Sequence, residues 1–284
     1  MAKKSKGQEM TINFKGFISK TLAQTVRRYI NTELLPTNFS SYNEALLQCH
    51  TGYSNDYLAD VVYEKTKCWR DKVYSQKPLM ADYAISRQLL IISVLSKKKI
   101  LRVVDFGGGC GAHYFLANHF LNGSIEVKWH VVETHNMVQK GKLLEDGKLR
   151  FFEDINEAIA AYNGVDLCFS SSALQYVPNP LQAIDDILKC AAEYIFLTRL
   201  PLLEHNIGQI ITIQTSNYSG NGPGQLPDGM KDGIVRYPIT LLEKDLLESK
   251  IRERYEELII FEEGLTHYFK GAKINSFGYL AKIF

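Results

Sequence analysis

Asp105, Gly107, Gly109 and Gly111 stand at alternate positions in the stretch VVDFGGGCGAHYF, Val103 to Phe115. A β-branched run precedes them and a helical pattern follows, which puts them in a loop between a strand and a helix N-terminus. In doubly wound sheets that is where ligands bind, and glycine lets the backbone come close to them. Two cofactor chemistries fit the spacing. Gly107, Gly109 and Ala112 match G-x-G-x-x-A, which sets a dinucleotide pyrophosphate against the helix N-terminus. Asp105 with the three glycines matches D-x-G-x-G-x-G, which suits S-adenosylmethionine (SAM), a molecule with an α-ammonium and a sulfonium but no phosphate. A carboxylate two residues before the first glycine is unfavourable beside phosphates and apt beside an ammonium, so Asp105 favours SAM.

Other polar residues fall at the ends of predicted strands. Glu133 closes EVKWHVVE, 28 residues after Asp105, where an acid accepts both hydroxyls of a ribose in NAD and SAM proteins alike. Asp154, or its neighbour Glu153, ends the third strand and has two uses: accepting from an adenine amino group, or capping the helix INEAIAAY. Ser170, Ser171 and Ser172 lie at the exit of the fourth strand, with Ser171 the expected cofactor contact, although serines there also form turns. On the catalytic side, His113 can act as a base or polar contact, or simply pack. Arg199 can bind a carboxylate or phosphate of an acceptor, or join a structural ion pair. His135, Tyr176, His205 and Tyr237 are further lining candidates.

The elements that must position these groups separate into three stretches: residues 1–38, 39–98 and 99–284. The first is a basic tail and an amphipathic helix, with Phe14, Phe17, Ile18, Leu22, Val26 and Tyr29 on one stripe and Lys15, Lys20, Arg27 and Arg28 beside it. Such a helix can lie on a membrane surface, but packing against protein is the expectation. The second stretch reads as a helical cap. One helix is capped by Ser41 and Glu44, another follows Ser54 with Leu58, Val61, Val62 and Trp69 inward, and a third spans LMADYAISRQLLIISVL, with no strand between. From Ile100, five short strands alternate with helices, which predicts a parallel, doubly wound, Rossmann-like α/β sheet. Leu200 to Pro238, rich in glycine and proline, reads largely as a long loop, and ITLLEKDLLESK as a helix. YEELIIFEEG and SFGYLAKIF then predict an antiparallel pair at the sheet edge, whereas dinucleotide folds continue to a sixth parallel strand.

Composition narrows the function classes. The 284 residues are 45% hydrophobic and 23% charged with a net charge of +2, so no dominant basic field points to nucleic acid. The five cysteines are scattered, with no C-x-x-C and no histidine at metal-ligand spacing, which excludes a zinc site or disulfide framework and suggests the cytosol. The start of the chain lacks the apolar core of a secretory signal, and the longest apolar run, Leu89 to Leu95, is too short to span a bilayer.

Taken together and in order, TGYSNDYLADVV, VVDFGGGCGAHYF, WHVVE, SSALQYVPNP and LTRLP resemble the class I SAM-dependent methyltransferases. More narrowly, they resemble one bacterial family of small-molecule methyltransferases often associated with surface-polysaccharide gene clusters. The resemblance runs from Ser40 to Phe284. It implies a seven-stranded sheet with a helical N-terminal cap over the cleft, SAM as cofactor, and a small acceptor such as a sugar or sugar-nucleotide hydroxyl or amine. The family commonly carries an aspartate just before the arginine of TRLP; here that residue is Thr198. A NAD-dependent oxidoreductase, disfavoured by Asp105 and by the lack of a Tyr-x-x-x-Lys pair in the expected region, and a SAM-binding module without turnover are the alternatives.

Overall fold

A computed structural model describes residues 33–49, 52–80, 83–95, 99–121, 124–204 and 208–284. The predicted amphipathic helix over residues 14–29 and His205 lie outside them. Five strands, β2 (Ile100–Phe106), β3 (Glu126–Val132), β4 (Leu149–Phe152), β5 (Leu167–Ser171) and β6 (Tyr194–Leu203), pair in parallel in the order β4-β3-β2-β5-β6. Two C-terminal strands, β9 (Tyr255–Phe269) and β10 (Ala272–Ile283), form a hairpin whose β10 pairs antiparallel with β6 and leaves β9 outermost. The core is therefore a seven-strand, Rossmann-like sheet with an antiparallel strand inserted next to the edge.

Period-two alternation along the strands builds a core on each face. Val103, Trp129, Val131, Leu167, Phe169 and Phe196 meet helices α2 (Asp56–Ser75), α3 (Tyr83–Leu95), α4 (Ala112–Leu121) and α5 (His135–Gly141) on one side. Val104, Val132, Cys168, Ile195 and Leu197 meet α6 (Ile155–Ala160), α7 (Pro180–Lys189) and α8 (Lys244–Arg252) on the other. Burial in two such layers supplies the main stabilising term.

The stretch expected to be a loop is the principal correction. β7 (Ile210–Asn217) pairs antiparallel along its whole length with Ile234 to Leu241 of β8 (Ile234–Glu243), and the last two residues of β6, Leu202 and Leu203, pair with Leu242 and Glu243 of β8. A two-residue strand β1 (Glu33–Leu34) extends this layer, so a strand does precede the cap helices and the continuous sheet has ten strands instead of seven. IITIQT is rich in β-branched residues and reads as strand in its own right; apart from Gly208, just before β7, the glycines that suggested a loop lie in the crossing between β7 and β8. The helix expected over ITLLEKDLLESK begins only at Lys244, because Ile239 to Glu243 complete β8.

Helix α1 (Tyr42–Cys49) packs Ala45 and Cys49 on Ile211 and Ile213 of β7. Its cap combines Ser41 Oγ, accepting from the Glu44 amide, with a Glu44 carboxylate that reaches back to Ser40 instead of Ser41. α2 is capped by Asn55 and buries Leu58, Val61, Val62 and Trp69, as its pattern predicted. The glycine-rich crossing is clasped to α2 by Lys65, a buried lysine whose Nζ donates to the carbonyls of Ser219 (2.7 Å) and Asn221 (2.5 Å). The β7–β8 insert is thus held on α2, whose Val62 also lies beside Gly109 of the glycine loop.

His130 of β3 makes part of this core sensitive to pH. Its ring lies 3.6 Å from that of Tyr162 and nearly parallel to it, with Nδ1 2.8 Å from the Ala158 carbonyl. Burial lowers its pKa from 6.5 to about 4. An unfolded histidine takes up a proton near 6.5 that the folded one refuses, so stability falls as pH drops from 6.5 towards 4, by about 1.4 kcal/mol per unit and roughly 3 kcal/mol in all. Urea midpoints of wild type and His130→Phe at pH 7.5 and 4.5 check this. The variant should lose that part of the slope, and an unchanged slope would assign the pH response elsewhere.

Candidate functional site

The candidate residues converge outside the carboxyl ends of β2, β3, β5 and β6, the usual ligand crevice of an open α/β sheet. Gly107, Gly109 and Gly111 all have positive φ (73°, 59° and 83°). Gly107 is required twice over, because a Cβ there would stand 2.1 Å from that of Ala173. At Gly109 the nearest group is Val62 of the cap helix, at 3.4 Å.

Asp105 does not stand in the open crevice. It is fully buried beneath Gly108, where any Cβ would strike its carboxylate at 2.4 Å, and Oδ2 accepts from Trp129 Nε1 at 2.9 Å. Its Oδ1 is buried with no hydrogen-bond partner among the described residues. His113, on the first turn of α4, holds Nδ1 3.4 Å from Asp105 Oδ2 and sets its ring edge-on to Phe169. The loop therefore rests on a buried acid and an imidazole.

Glu133 faces the loop from the end of β3. Oε1 accepts from the Gly109 amide at 3.1 Å and Oε2 from the Thr134 amide at 2.9 Å. Burial raises its pKa above the ordinary glutamate value, and the two amides offset this only in part. Its residual exposure, like that of Gly107, Gly109, Ser172 and Ala173, lines the crevice.

The remaining candidates divide. Asp154 is the N-cap of α6, with Oδ1 accepting from the amides of Asn156 and Glu157. Glu153 instead pairs with His135, 2.8 Å away at the exposed rim. Ser171 is buried and accepts from Gln88 Nε2 of α3 at 3.0 Å, and Ser170 donates to the Phe106 carbonyl. Arg199, expected at the end of its strand, is exposed in the middle of β6, one position past the last pair that β6 makes with β5 (Thr198 with Ser171), and no structural ion pair is made by it among the described residues.

Three groups escaped the sequence reading. Tyr53 joins Tyr176 and Tyr237 in one aromatic cluster, with ring centroids 4.4 to 5.1 Å apart. Gln88 reaches Ser171 from a helix read only as packing. Glu263 of β9, ion-paired to Arg87, accepts from the Thr198 hydroxyl at 2.5 Å, so a carboxylate does stand at Thr198 although it comes from the edge strand. No local signal could announce these pairs, since the partners lie 83 and 65 residues apart.

No protein-family model matches the sequence, and no curated protein matches it. Among solved structures the chain is similar to a SAM-dependent methyltransferase from Clostridium acetobutylicum, at 12% identity over 72% of this chain and 92% of that one, TM-score 0.40. It is also similar to the Burkholderia thailandensis 1,6-didemethyltoxoflavin-N1-methyltransferase with bound 1,6-didemethyltoxoflavin and S-adenosylhomocysteine, at 12% identity over 89% and 94%, TM-score 0.44. A third is the magnesium protoporphyrin IX methyltransferase from Synechocystis with bound SAM, at 12% identity over 81% and 98%, TM-score 0.41.

Proposed function

We propose that the chain is a SAM-dependent methyltransferase acting on a small polar acceptor, of which a sugar or sugar-nucleotide hydroxyl or amine is one expected kind. The observation that carries this is Glu133, a partly exposed carboxylate at the end of the second parallel strand, already hydrogen-bonded to the amide of the glycine loop. In that position a carboxylate accepts from a ribose diol, while Gly107 and Gly109 leave room for the rest of the nucleoside. Asp105, buried beneath the loop beside His113, would place negative charge under the end of the crevice where a cationic amino-acid group sits, without touching it. Asp154 would approach the adenine and Ser171 the methionine end.

Bound there, a sulfonium would supply a methyl group to the acceptor's lone pair, the carbon–sulfur electrons staying on sulfur as a thioether and the proton of the hydroxyl or amine passing to solvent. The chain's own part is alignment and exclusion of water, which for an in-line displacement accounts for much of the barrier reduction. Cap and insert exclude water. Arg199 would orient the acceptor, and His113, wedged between Asp105 and Phe169, would hold the loop in place. The antiparallel β10 between β6 and β9, where a dinucleotide fold has a sixth parallel strand, favours this reading over a NAD oxidoreductase.

Calorimetry with SAM, S-adenosylhomocysteine (SAH) and NAD decides between them. The expected result is binding of both sulfur compounds and none of NAD; binding of NAD alone would overturn the assignment. A labelled-methyl screen then separates an enzyme from a module that binds without turnover.

A further inference from the structure

The crevice has a second half that the cofactor residues do not use. It begins at Tyr53, close enough to Glu133 for the carboxylate to add to the burial that raises the Tyr53 pKa. It continues through the ring of Tyr176 and ends at Arg199, whose charge counteracts the burial that raises the Tyr176 pKa. Tyr53 and Tyr176 keep partial exposure, while Tyr237 is buried behind them and nearly stacked on Tyr53. The hydroxyls are turned to the insert: that of Tyr176 donates to Gln214 at 3.0 Å and that of Tyr53 to Asn221 at 3.5 Å. What the wall offers a ligand is therefore aromatic surface.

Its far end is strained as well as charged. Arg199 (φ 59°), within β6, and Ser172 (φ 58°), just past the end of β5, are left-handed non-glycine residues on neighbouring strands, joined through the Ser172 amide and the Thr198 carbonyl. Such strain persists where the surroundings hold it for a purpose. The nearby carboxylates are committed, Glu133 to two amides and Glu263 to Arg87 and Thr198, so Arg199 sets the sign of the charge there. A cation would meet repulsion from it, despite the attraction of tyrosine faces for cations.

We propose that the acceptor carries a flat aromatic or heteroaromatic part that stacks on Tyr53 and Tyr176 and an anionic group that binds Arg199. This rests on the methyltransferase reading, which assigns the Glu133 end to the cofactor, and it narrows the acceptor class. A nucleotide-linked sugar or an aromatic acid meets both conditions, and a free neutral sugar meets neither.

The test titrates the SAH-saturated protein with two sets of probes. One set is uridine 5′-diphosphate, uridine and ribose 5-phosphate; the other is 2-naphthoate, 2-naphthamide and cyclohexanecarboxylate. In at least one set, the probe with both ring and anion should bind about tenfold or more tightly than either stripped partner, and the set that responds identifies the source. Arg199→Gly should abolish the preference over the uncharged probe while raising Tm by about 2–4 °C, because glycine relieves the left-handed strain. Tyr176→Leu should abolish the preference over the non-aromatic probe, and Tyr176→Phe should keep it. Equal binding within both sets, or a preference that survives Arg199→Gly, overturns the proposal. If SAH itself does not bind, the methyltransferase reading fails, and the same titrations on the free protein still report on the wall.

Discussion

Gly107→Ala should destabilise the protein by roughly 3 kcal/mol or more. Two costs combine. The backbone stands at φ 73°, where an L-residue loses about 1–2 kcal/mol, and the new Cβ would lie 2.1 Å from that of Ala173. Only backbone movement relieves the second cost, since neither methyl can rotate away. Ala173→Gly removes the obstacle, so the double variant should recover about 1–3 kcal/mol of coupling energy and retain the left-handed penalty. Gly109→Ala provides the contrast: its nearest neighbour is 3.4 Å away, and about 1 kcal/mol is expected. Urea denaturation of the wild type, the three single variants and the double variant measures all of this. An additive double variant would mean that the loop and the β5 exit are not in the contact described.

Glu133→Ala should weaken SAH binding about 100-fold or more, since two hydrogen bonds to a charged group are lost at roughly 1.5–3 kcal/mol each. Stability of the free protein should change little, about 1 kcal/mol or less, because the lost hydrogen bonds from the Gly109 and Thr134 amides are offset by release of a buried charge. Glu133→Gln, which keeps one acceptor oxygen, should fall between. The sign of the pH dependence follows from burial. The carboxylate is the binding form and its pKa is raised, so affinity is full above that value and is lost on acidification sooner than an ordinary glutamate would allow. Calorimetric titrations of the three proteins across pH supply the check. SAH affinity unchanged in Glu133→Ala would remove Glu133 from the site.

The glycine loop shows how far each level of description reaches. Its glycines were legible as a ligand loop, but the need for two of them is internal. Gly107 makes way for Ala173 and Gly108 for the Asp105 carboxylate, so part of the apparent cofactor motif is packing. Asp105 itself was chosen for its charge and is found beneath the loop, where it holds Trp129 and stands close to His113. Asp154 had two uses in prospect, and the cap is present in the geometry.

By itself the sequence determined what depends on neighbours along the chain. Period-two runs made β2 to β6, helical stripes made α2 to α5 and α7, and Glu133 and the serines after β5 reached one side of the molecule because a parallel sheet aligns its strand ends. The tertiary structure decided what depends on distant partners. β7 and β8 pair with each other across the glycine-rich crossing, and Leu202 and Leu203 of β6 join them to the parallel sheet through Leu242 and Glu243. The acid at Thr198 arrives from Glu263, and the aromatic wall is assembled from residues 53, 176 and 237. Nothing in a local window encodes such meetings, because they are contacts between surfaces that exist only once the sheet has formed, and those surfaces make the acceptor end of the crevice.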